Sequence, residues 1–334
     1  MTKLRVKNEI DRLLTIDVNI KKIHGLLNYD GTSCYSDCVL FSLLAIPDNF
    51  IHNYMLCCDI KHNNNISKNC EKIRNIIQKY ILKICISIRH TNNIKSCDHF
   101  KKLLKLCRID GMPNFGKSGQ QEAGEFLIYL FTIFNINNIA KTKNINFVTN
   151  NISSSVTKKE LIQTSIIHDR KASPVIFIDP FLLINKSDKN NLIYYFLKQF
   201  TDSGLLSNDN LFKLEKNNKV EYYRRKFSYM TIIDSPYIVF WAQRANPVDS
   251  SVIYTRITPT QKITLKSNRI LYLNSIIIHM GSVNGGHYVT FFRKDKKWYL
   301  YDDINPNIIY IGNYFKMLHT NPNPCTNGVL YFYS

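Results

Sequence analysis

Residues 25–47 read Gly25-Leu-Leu-Asn-Tyr-Asp-Gly-Thr-Ser-Cys34-Tyr-Ser-Asp-Cys-Val-Leu-Phe-Ser-Leu-Leu-Ala-Ile-Pro47, so that Cys34 directly follows a polar, glycine-containing turn. The apolar residues after it recur at helical spacing, with Ser33 as a candidate N-cap and Pro47 as a stop signal. A short apolar helix is therefore predicted to begin at Cys34. A helix N-terminus stabilises a thiolate through its free N–H groups and its dipole. Taken alone, the pattern is more typical of a buried cysteine that only fills space.

The composition predicts a folded, soluble protein. Apolar residues make up 45% and aromatic residues 12% of the 334 residues, and the sequence contains neither a membrane-spanning apolar run nor the apolar core of a signal peptide. We expect an intracellular protein without a membrane partner. Its expected location is the cytoplasm (the host cytoplasm for a viral protein), with the nucleus as a second location.

The nine cysteines are an odd number and include no C-x-x-C pair. This usage is typical of reduced thiols in a reducing compartment, and it does not favour a structural zinc site. We therefore expect no bound metal.

A net charge of +19 is a feature of many nucleic-acid-binding proteins. Here the lysines are scattered among asparagines and isoleucines, without a basic block or an interleaved aromatic stripe. The bias is better explained by an AT-rich genome, and it would suit a large DNA virus or an AT-rich parasite. Nucleic acid is not the expected partner.

The chain changes character near its middle. From Gly25 to about residue 138 the periodicity is mostly helical, including a helix from Gln120 to about Phe134. Residues 138–172 are polar and rich in asparagine, which is typical of a mobile loop or an insertion. A strand from Val175 and a helix through Leu192 to Phe200 follow, and then come strand-like runs at Tyr229–Ile233, Tyr237–Gln243, Arg269–His279, His287–Arg293, Trp298–Asp302 and Val329–Tyr333. The order predicts an α+β fold with a cleft between two subdomains.

The strand-rich half supplies the partner that a nucleophilic cysteine needs. If Lys294 and Asp295 form the centre of a hairpin turn, His287 lies directly opposite Asp302. A carboxylate would then orient the imidazole and leave its other face free to deprotonate a thiol. His279 has no acidic neighbour in the sequence, and we expect it to have a structural role.

Three segments resemble the signature boxes of the ubiquitin-specific proteases, which are papain-like cysteine deubiquitinases. Residues 25–44 follow the cysteine box G-L-x-N-x-G-N-T-C-Y-M-N-S-x-L-Q-x-L, and Gln120-Gln-Glu-Ala-Gly-Glu-Phe-Leu127 follows the glutamine box Q-Q-D-A-H-E-F-L. The histidine box is matched by His279-Met-Gly281, Gly285-Gly-His-Tyr288 and Trp298-Tyr-Leu-Tyr-Asp-Asp303. The boxes occur in the family's order, and weaker similarity fills the gaps.

The resemblance implies a papain-like thumb–palm–fingers catalytic domain over residues 24–334, after a short N-terminal extension at 1–23. The helical thumb would cover about 24–138, a variable loop about 139–172, and the palm with short fingers about 173–334. The family's fingers carry two C-x-x-C pairs that bind zinc. The matching stretch around Asp209-Asn-Leu-Phe-Lys-Leu-Glu215 has none, so short, metal-free fingers are expected.

Roles carry over to the matching positions of this sequence. The resemblance implies Cys34 as nucleophile, His287 as general base and then acid, Asp302 as the residue that orients His287, and Asp303 as a supporting acid. Asn28 would complete the oxyanion hole together with the backbone N–H of Cys34. The residues expected along the substrate are Gln121, Gly285, Gly286 and Tyr288. The reaction needs no cofactor.

Three positions depart from the family pattern. Asn28 stands six residues before the cysteine, whereas the family asparagine stands five before it. Asp37 replaces an asparagine, and its charge would oppose thiolate formation at Cys34. Gly124 replaces the histidine of the glutamine box, and we expect this helix to serve packing and loop support.

The expected function is thiol-dependent hydrolysis of isopeptide or peptide bonds after the C-terminal glycine of ubiquitin, with ubiquitin or ubiquitinated proteins as partners. Two alternatives stay open. One is a catalytically weak or inactive ubiquitin-binding protein, which the three departures support. The other is a protease for another ubiquitin-like modifier, which the same triad would serve. The sequence leaves the oligomeric state open.

Overall fold

A computed structural model describes residues 8, 10–12, 17–26, 28, 31–58, 60, 67–90, 96–112, 121–136, 141–149, 175–178, 180, 200–205, 211–216, 219–246, 248–283, 285–305 and 307–334. Short helical turns lie at Ile20–Lys22 and at Asn49–Ile51, the second of which continues into a π-helical turn at His52–Leu56. The helices are α1 Cys34–Leu44, α2 Lys68–His90, α3 Ser96–Ile109, α4 Ala123–Ile133, α5 Tyr314–Leu318 and α6 Pro324–Asn327.

The strands form one large sheet and two smaller ones. They are β1 Lys141–Thr149, β2 Ile176–Ile178, β3 Phe200–Leu205, β4 Phe212–Lys216, β5 Lys219–Tyr223, β6 Arg225–Asp234, β7 Ile238–Ala242, β8 Lys262–Thr264, β9 Ile270–Ser282, β10 Gly285–Lys294, β11 Lys297–Tyr301, β12 Ile309–Gly312 and β13 Gly328–Tyr333. The large sheet has the order β12-β11-β10-β9-β13-β7-β2, and β8 also pairs with β9. The smaller sheets are β1-β6-β3 and the hairpin β4-β5. The predicted α+β architecture is confirmed.

Helix α1 lies between the other helices of the N-terminal half and the large sheet. It packs against β9 and β10 on one side and against α2 and α4 on the other. All of its residues except Ser42 are buried, as expected for a helix that is apolar on nearly every face. Phe41 stacks on Tyr301 with the ring centroids 3.9 Å apart, and Tyr35 meets Phe126 of α4 edge-on. The helix predicted from Cys34 is thus confirmed, and it is held as a core element.

The hairpin between β10 and β11 turns one residue later than its sequence suggests. Asp295 and Lys296 are the central residues, with φ values of 50° and 63°, and Lys294 pairs with Lys297. Both φ values are positive, as a two-residue type I′ turn requires, and this turn matches the twist of the strands. The predicted turn centred on Lys294 and Asp295 is therefore wrong, and Thr290 lies opposite Tyr301.

Most of the other predicted strands are confirmed, with three differences. Residues 141–149, expected to belong to a loop, form β1 and pair along β6. Phe200, expected at the end of a helix, begins β3; the rest of that predicted helix lies outside the described residues. The stretch expected to form short fingers contains the hairpin of β4 and β5.

The segment before the first box contributes to the same core as α1. Ile10, Val18 and Ile23 are buried in it, and Asp17 accepts a hydrogen bond of 2.8 Å from Lys294. Within the described ranges, no single helix is long and apolar enough to cross a membrane. One bent pair of helices, Cys34–Leu44 with Asn49–Leu56, passes on length and composition only.

Candidate active site

Cys34 is the first residue of α1 and lies against β10. Its thiol accepts hydrogen bonds from the backbone N–H groups of Tyr288 and Tyr35. The residue is only 1% exposed. The contact with Tyr288 places the sulfur beside the backbone of the residue that directly follows His287, so the helix start and the histidine strand meet at the thiol.

His287 and Asp302 are in direct contact, as the sequence suggested. Nε2 of His287 lies 2.8 Å from Oδ1 of Asp302. The same oxygen accepts the backbone N–H of Ile304 at 3.0 Å, which fixes the carboxylate in the loop after β11. Because Nε2 faces the carboxylate, Nδ1 is the ring nitrogen left to act on a thiol.

Asp303 approaches the same imidazole from inside the protein. Its Oδ1 lies 3.5 Å from Nε2 of His287, and the residue is 1% exposed. Burial raises the pKa of Asp303 to about 6, while a hydrogen bond with the Asp37 side chain and the charge of His287 lower it. The backbone carbonyl of Asp303 accepts the N–H of Asn28 at 3.2 Å, which ties the turn before α1 to the acidic loop.

Asn28 lies at the start of α1 despite its longer spacing from the cysteine. Its Oδ1 accepts the backbone N–H of Ser33 at 3.2 Å and lies 3.4 Å from the Ser33 hydroxyl oxygen. Because a backbone N–H must donate, the amide oxygen is the atom on this side, and the amide NH₂ is the donor that Asn28 can offer elsewhere. Ser33 is the N-cap residue, yet its side chain makes no capping bond; the hydroxyl donates instead to Oδ2 of Asp37 at 2.7 Å.

The environment of Cys34 favours the neutral thiol. Burial raises the pKa of the Cys34 thiol to about 11, the Tyr288 N–H lowers it, and the charges of Asp303 and Asp37 raise it again. The start of a helix acts in the opposite direction. The resting protein therefore holds a protonated cysteine, and a base must remove its proton before the sulfur can attack.

Three of the residues expected along the substrate lie at two places: Gly285 and Gly286 are on β10, and Gln121 precedes α4. Gly285 and Gly286 open β10, beside Gly281 of β9. A Cβ on Gly286 would lie 2.1 Å from the carbonyl oxygen of Met280, whereas one on Gly285 would meet open space. Of these two residues, only Gly286 is therefore required by the packing of the strands; Gly281 is required as well, since a Cβ there would lie 2.6 Å from the carbonyl oxygen of Gly285. Gln121 is partly exposed just before α4.

Tyr288 is buried rather than displayed toward a substrate. Its ring is 2% exposed and lies 4.5 Å from the ring of His279, and its hydroxyl accepts the backbone N–H of Ala123. The side chain thus joins β10 to the start of α4, and Tyr288 reaches Cys34 through its backbone N–H. A backbone contact of this kind leaves no signal in a pattern of side chains.

The structure explains why position 124 is a glycine, which the sequence alone did not reveal. The indole of Trp241, from β7, lies over it, and a Cβ at this position would come within 2.2 Å of the ring. The space that a side chain would take on α4 is filled by a side chain from the sheet. The absence of a histidine here is therefore part of the packing between α4 and β7.

His287, Asp302 and Asp303 also present three metal-ligand atoms within 4.8 Å of one another. A divalent cation could use this group, but it would compete with the hydrogen bond that orients the imidazole. The cluster is therefore most simply the acid–base part of the same site.

Comparison with known proteins identifies one family. The profile of the ubiquitin carboxyl-terminal hydrolase family matches residues 24–333. None of the curated protein sequences matches the chain.

Solved structures of similar fold include the SAGA deubiquitinase module Ubp8/Sgf11/Sus1/Sgf73 bound to monoubiquitin, at a TM-score of 0.66 and 15% identity, covering 99% of this chain and 74% of that one. The same module bound to ubiquitin aldehyde matches at a TM-score of 0.62 and 15% identity, covering 96% and 71%. A yeast module with an Sgf73 variant matches at 0.57 and 15% identity, covering 96% and 70%. At this identity the likeness establishes the papain-like fold of ubiquitin-specific proteases, and with a family profile that spans nearly its whole length the chain belongs to the ubiquitin carboxyl-terminal hydrolases.

Proposed function

We propose that this protein is a thiol-dependent deubiquitinase that hydrolyses the bond after the C-terminal glycine of ubiquitin. The observation that carries the proposal is the 2.8 Å contact between His287 and Asp302, on a strand whose next residue, Tyr288, donates its backbone N–H to the thiol of Cys34. An imidazole oriented by a carboxylate next to a thiol is the arrangement used by cysteine hydrolases on several unrelated folds. Membership of the family supplies the substrate class.

In the proposed mechanism His287 removes the Cys34 proton at Nδ1 while Nε2 stays on Asp302. The sulfur attacks the carbonyl carbon of the terminal glycine and forms a tetrahedral oxyanion. The backbone N–H of Cys34 and the amide NH₂ of Asn28 are the proposed donors to that oxyanion. The imidazolium then gives its proton to the leaving lysine amine, and a thioester remains.

Hydrolysis of the thioester repeats the same steps with water. His287 takes a proton from the water, hydroxide adds to the thioester carbonyl, and the Cys34 thiolate leaves and recovers its proton from the imidazolium. Asp302 keeps the ring in one orientation through both halves of the reaction. Asp303, 3.5 Å from Nε2, adds negative charge that stabilises the imidazolium.

The start of β10 suits the approach of a glycine-rich tail. Gly285 has open space around its Cα, and the neighbouring Gly281 has a φ of 122°. Side chains at these positions would narrow the path to Cys34. We propose that Gly281, Gly285 and Gly286 line the channel for the ubiquitin tail.

One observation favours a second candidate, a ubiquitin-binding protein with little or no turnover. Cys34 is 1% exposed, and its thiol pKa is raised to about 11. If ubiquitin binding neither exposes the Cys34 thiol nor lowers its pKa, the protein would bind ubiquitin without cleaving it.

The deciding experiment uses ubiquitin with a propargyl amide at its C-terminus, which reacts with an activated cysteine at the scissile position. Wild-type protein should form an adduct that peptide mass mapping locates at Cys34. Cys34→Ala should form none, and Cys38→Ala, one helical turn further along α1, should still react. Saturable ubiquitin binding without an adduct would favour the second candidate. Reaction only with a probe made from another ubiquitin-like modifier would overturn the proposed substrate.

A further inference from the structure

Tyr301, the last residue of β11, carries a buried hydroxyl that the mechanism above does not use. The side chain is 0% exposed, and its ring stacks on Phe41 of α1. The hydroxyl donates to the backbone carbonyl of Leu26 at 2.8 Å, across 275 positions of the sequence. This hydrogen bond ties the end of β11, directly before Asp302, to the segment that precedes α1.

The carbonyl of Leu26 depends on this hydroxyl. Leu26 is 1% exposed, and among the described residues Tyr301 is the one donor to its carbonyl oxygen. A buried carbonyl that loses its donor is destabilised, so the backbone at Leu26 should move if the hydroxyl is removed. Burial and the charges of Asp37 and Asp303 raise the pKa of the Tyr301 hydroxyl, which therefore stays protonated and able to donate.

Two anchors fix the backbone near Asn28, the proposed oxyanion donor. The N–H of Asn28 donates to the carbonyl of Asp303 at 3.2 Å, and the carbonyl of Leu26, two residues earlier, accepts from Tyr301. Both anchors flank Asp302, whose carboxylate orients the imidazole. The end of β11 thus positions the proposed oxyanion donor as well as the general base.

We propose that Tyr301 is a positioning residue whose hydroxyl, by holding the carbonyl of Leu26, aims the amide NH₂ of Asn28 at the oxyanion. Its part in the reaction rests on the proposed function, whereas the anchoring of the turn does not. A shift of the backbone near Asn28 would move the amide relative to Cys34. Because an oxyanion donor acts mainly in the transition state, losing the anchor should lower kcat and leave KM nearly unchanged.

A second buried tyrosine provides a matched control. Tyr301→Phe removes the hydroxyl and keeps the ring on Phe41, so it isolates the bond to Leu26. Tyr333, the last residue of β13, is also 0% exposed, and its hydroxyl donates to the carbonyl of Thr260 at 2.9 Å. Tyr301→Phe and Tyr333→Phe should each lower the Tm by about 2–4 °C. A kinetic difference between them therefore reports where the lost bond lies and not a loss of stability.

The kinetic test measures kcat and KM separately, with ubiquitin carrying a fluorogenic amide at its C-terminus. Tyr301→Phe should lose about tenfold in kcat, which is less than the loss of an oxyanion donor itself, while KM changes by less than about twofold. Tyr333→Phe should keep both constants within about twofold of wild type. Equal kcat values for wild type and Tyr301→Phe would overturn the proposal.

A double-mutant cycle shows whether Tyr301 acts through Asn28. Asn28→Ala removes the amide that the hydroxyl is proposed to aim, so adding Tyr301→Phe to it should lower kcat by less than about a further twofold. Asp302→Ala disables a different group, and its loss should multiply with that of Tyr301→Phe. A tenfold effect of Tyr301→Phe that persists in the Asn28→Ala background would show a general distortion of the site and would reject the role of Tyr301.

Hydrogen exchange tests the anchor without catalysis. The N–H groups of Asn28 and Ser33 are hydrogen-bonded before α1, so the peptide covering residues 25–34 should exchange at least about threefold faster in Tyr301→Phe and at the wild-type rate in Tyr333→Phe. If wild type does not cleave ubiquitin, the proposed function fails, and the exchange rates still decide whether Tyr301 holds this turn. If wild type cleaves ubiquitin but exchange is unchanged in Tyr301→Phe, the function stands and the role of Tyr301 is rejected.

Discussion

Nε2 of His287 lies 2.8 Å from Oδ1 of Asp302, although the two residues are not opposed in the ladder between β10 and β11. The ladder ends where Thr290 pairs with Tyr301, and Asp302 follows as the first residue of a loop. Its carboxylate reaches diagonally along the strand to the imidazole. The backbone N–H of Ile304, 3.0 Å from the same oxygen, holds it in that direction.

This geometry predicts different outcomes for two substitutions of Asp302. Asp302→Ala removes the group that orients His287, and we expect kcat/KM to fall by roughly 10²-fold or more. Asp302→Asn keeps a carbonyl oxygen that can accept from Nε2 and from Ile304, as an asparagine does in papain-like sites, so its loss should be smaller. Steady-state hydrolysis of a fluorogenic ubiquitin amide measures both.

Asp303 provides the control for that prediction. Because it lies 3.5 Å from Nε2, Asp303 should support part of the residual activity of Asp302→Ala. Removing both acids should then cost more than either single substitution. If Asp302→Ala retained full activity while the double variant lost it, Asp303 and not Asp302 would be the residue that orients the histidine.

The hairpin shows how far a sequence pattern determines this part of the site. Side chains alternate between the two faces of a strand, so a register error of two positions leaves each residue on its predicted face. The observed pairing of Thr290 with Tyr301 differs from the predicted one by two positions. His287 and Asp302 therefore still meet, and the proximity could be predicted even though the turn could not.

Other features of the site depend on contacts that no local pattern encodes. Asp37 and Asp303 are separated by most of the chain, and both act on Cys34 because α1 packs on the sheet. The filling of the Gly124 site by Trp241 has the same origin. Strand β1 was missed because it belongs to a longer polar, asparagine-rich stretch at 138–172, although Thr142, Ile145, Phe147, Val148 and Thr149 themselves favour a strand.

The contact between Gly124 and Trp241 predicts a reversal of the usual effect of alanine in a helix. Alanine is favoured over glycine in a helix by up to about 1 kcal/mol, and Gly124 is the second residue of α4. In α4 its Cβ would lie 2.2 Å from the Trp241 ring, so Gly124→Ala should lower the free energy of unfolding by about 1–3 kcal/mol. Urea denaturation followed by circular dichroism measures the change.

A double-mutant cycle tests that explanation. Trp241→Leu removes the ring, so Gly124→Ala should cost much less in that background. Thr132→Ala, on the exposed side of the same helix, is the control and should change stability little. An equal cost of Gly124→Ala with and without the tryptophan would show that the ring is not responsible.

The state of Cys34 predicts how it reacts with a small alkylating reagent. With its thiol pKa near 11, the thiolate fraction should rise about tenfold per pH unit between pH 7 and 10. Iodoacetamide labelling of the Cys34 peptide, followed by mass spectrometry, should show this rise, with exposed Cys57 labelled much faster at pH 7. Labelling of Cys34 that is fast and constant from pH 6 to 9 would instead indicate a preformed thiolate–imidazolium pair.

His52 predicts a separate pH dependence, one of stability. The residue is buried, its Nε2 lies 3.0 Å from Nη1 of Arg89, and its Nδ1 faces the carbonyl oxygen of Asp48. A guanidinium can only donate, so Nε2 must be the acceptor and the proton lies on Nδ1. Burial lowers the pKa of His52 to about 4, and the charge of Arg89 lowers it in the same direction.

Because the unfolded chain binds the His52 proton near pH 6.5 and the folded protein only near pH 4, stability should fall as the pH falls through this window. The loss attributable to His52 is at most about 3 kcal/mol. His52→Gln retains an acceptor for Arg89 and does not titrate, so the difference in unfolding free energy between wild type and this variant should shrink from pH 7 to pH 4. Exposed His319→Gln is the matched control. Urea denaturation at each pH provides the measurement, and a difference that did not change with pH would mean that the pKa of His52 is the same in the folded and unfolded protein.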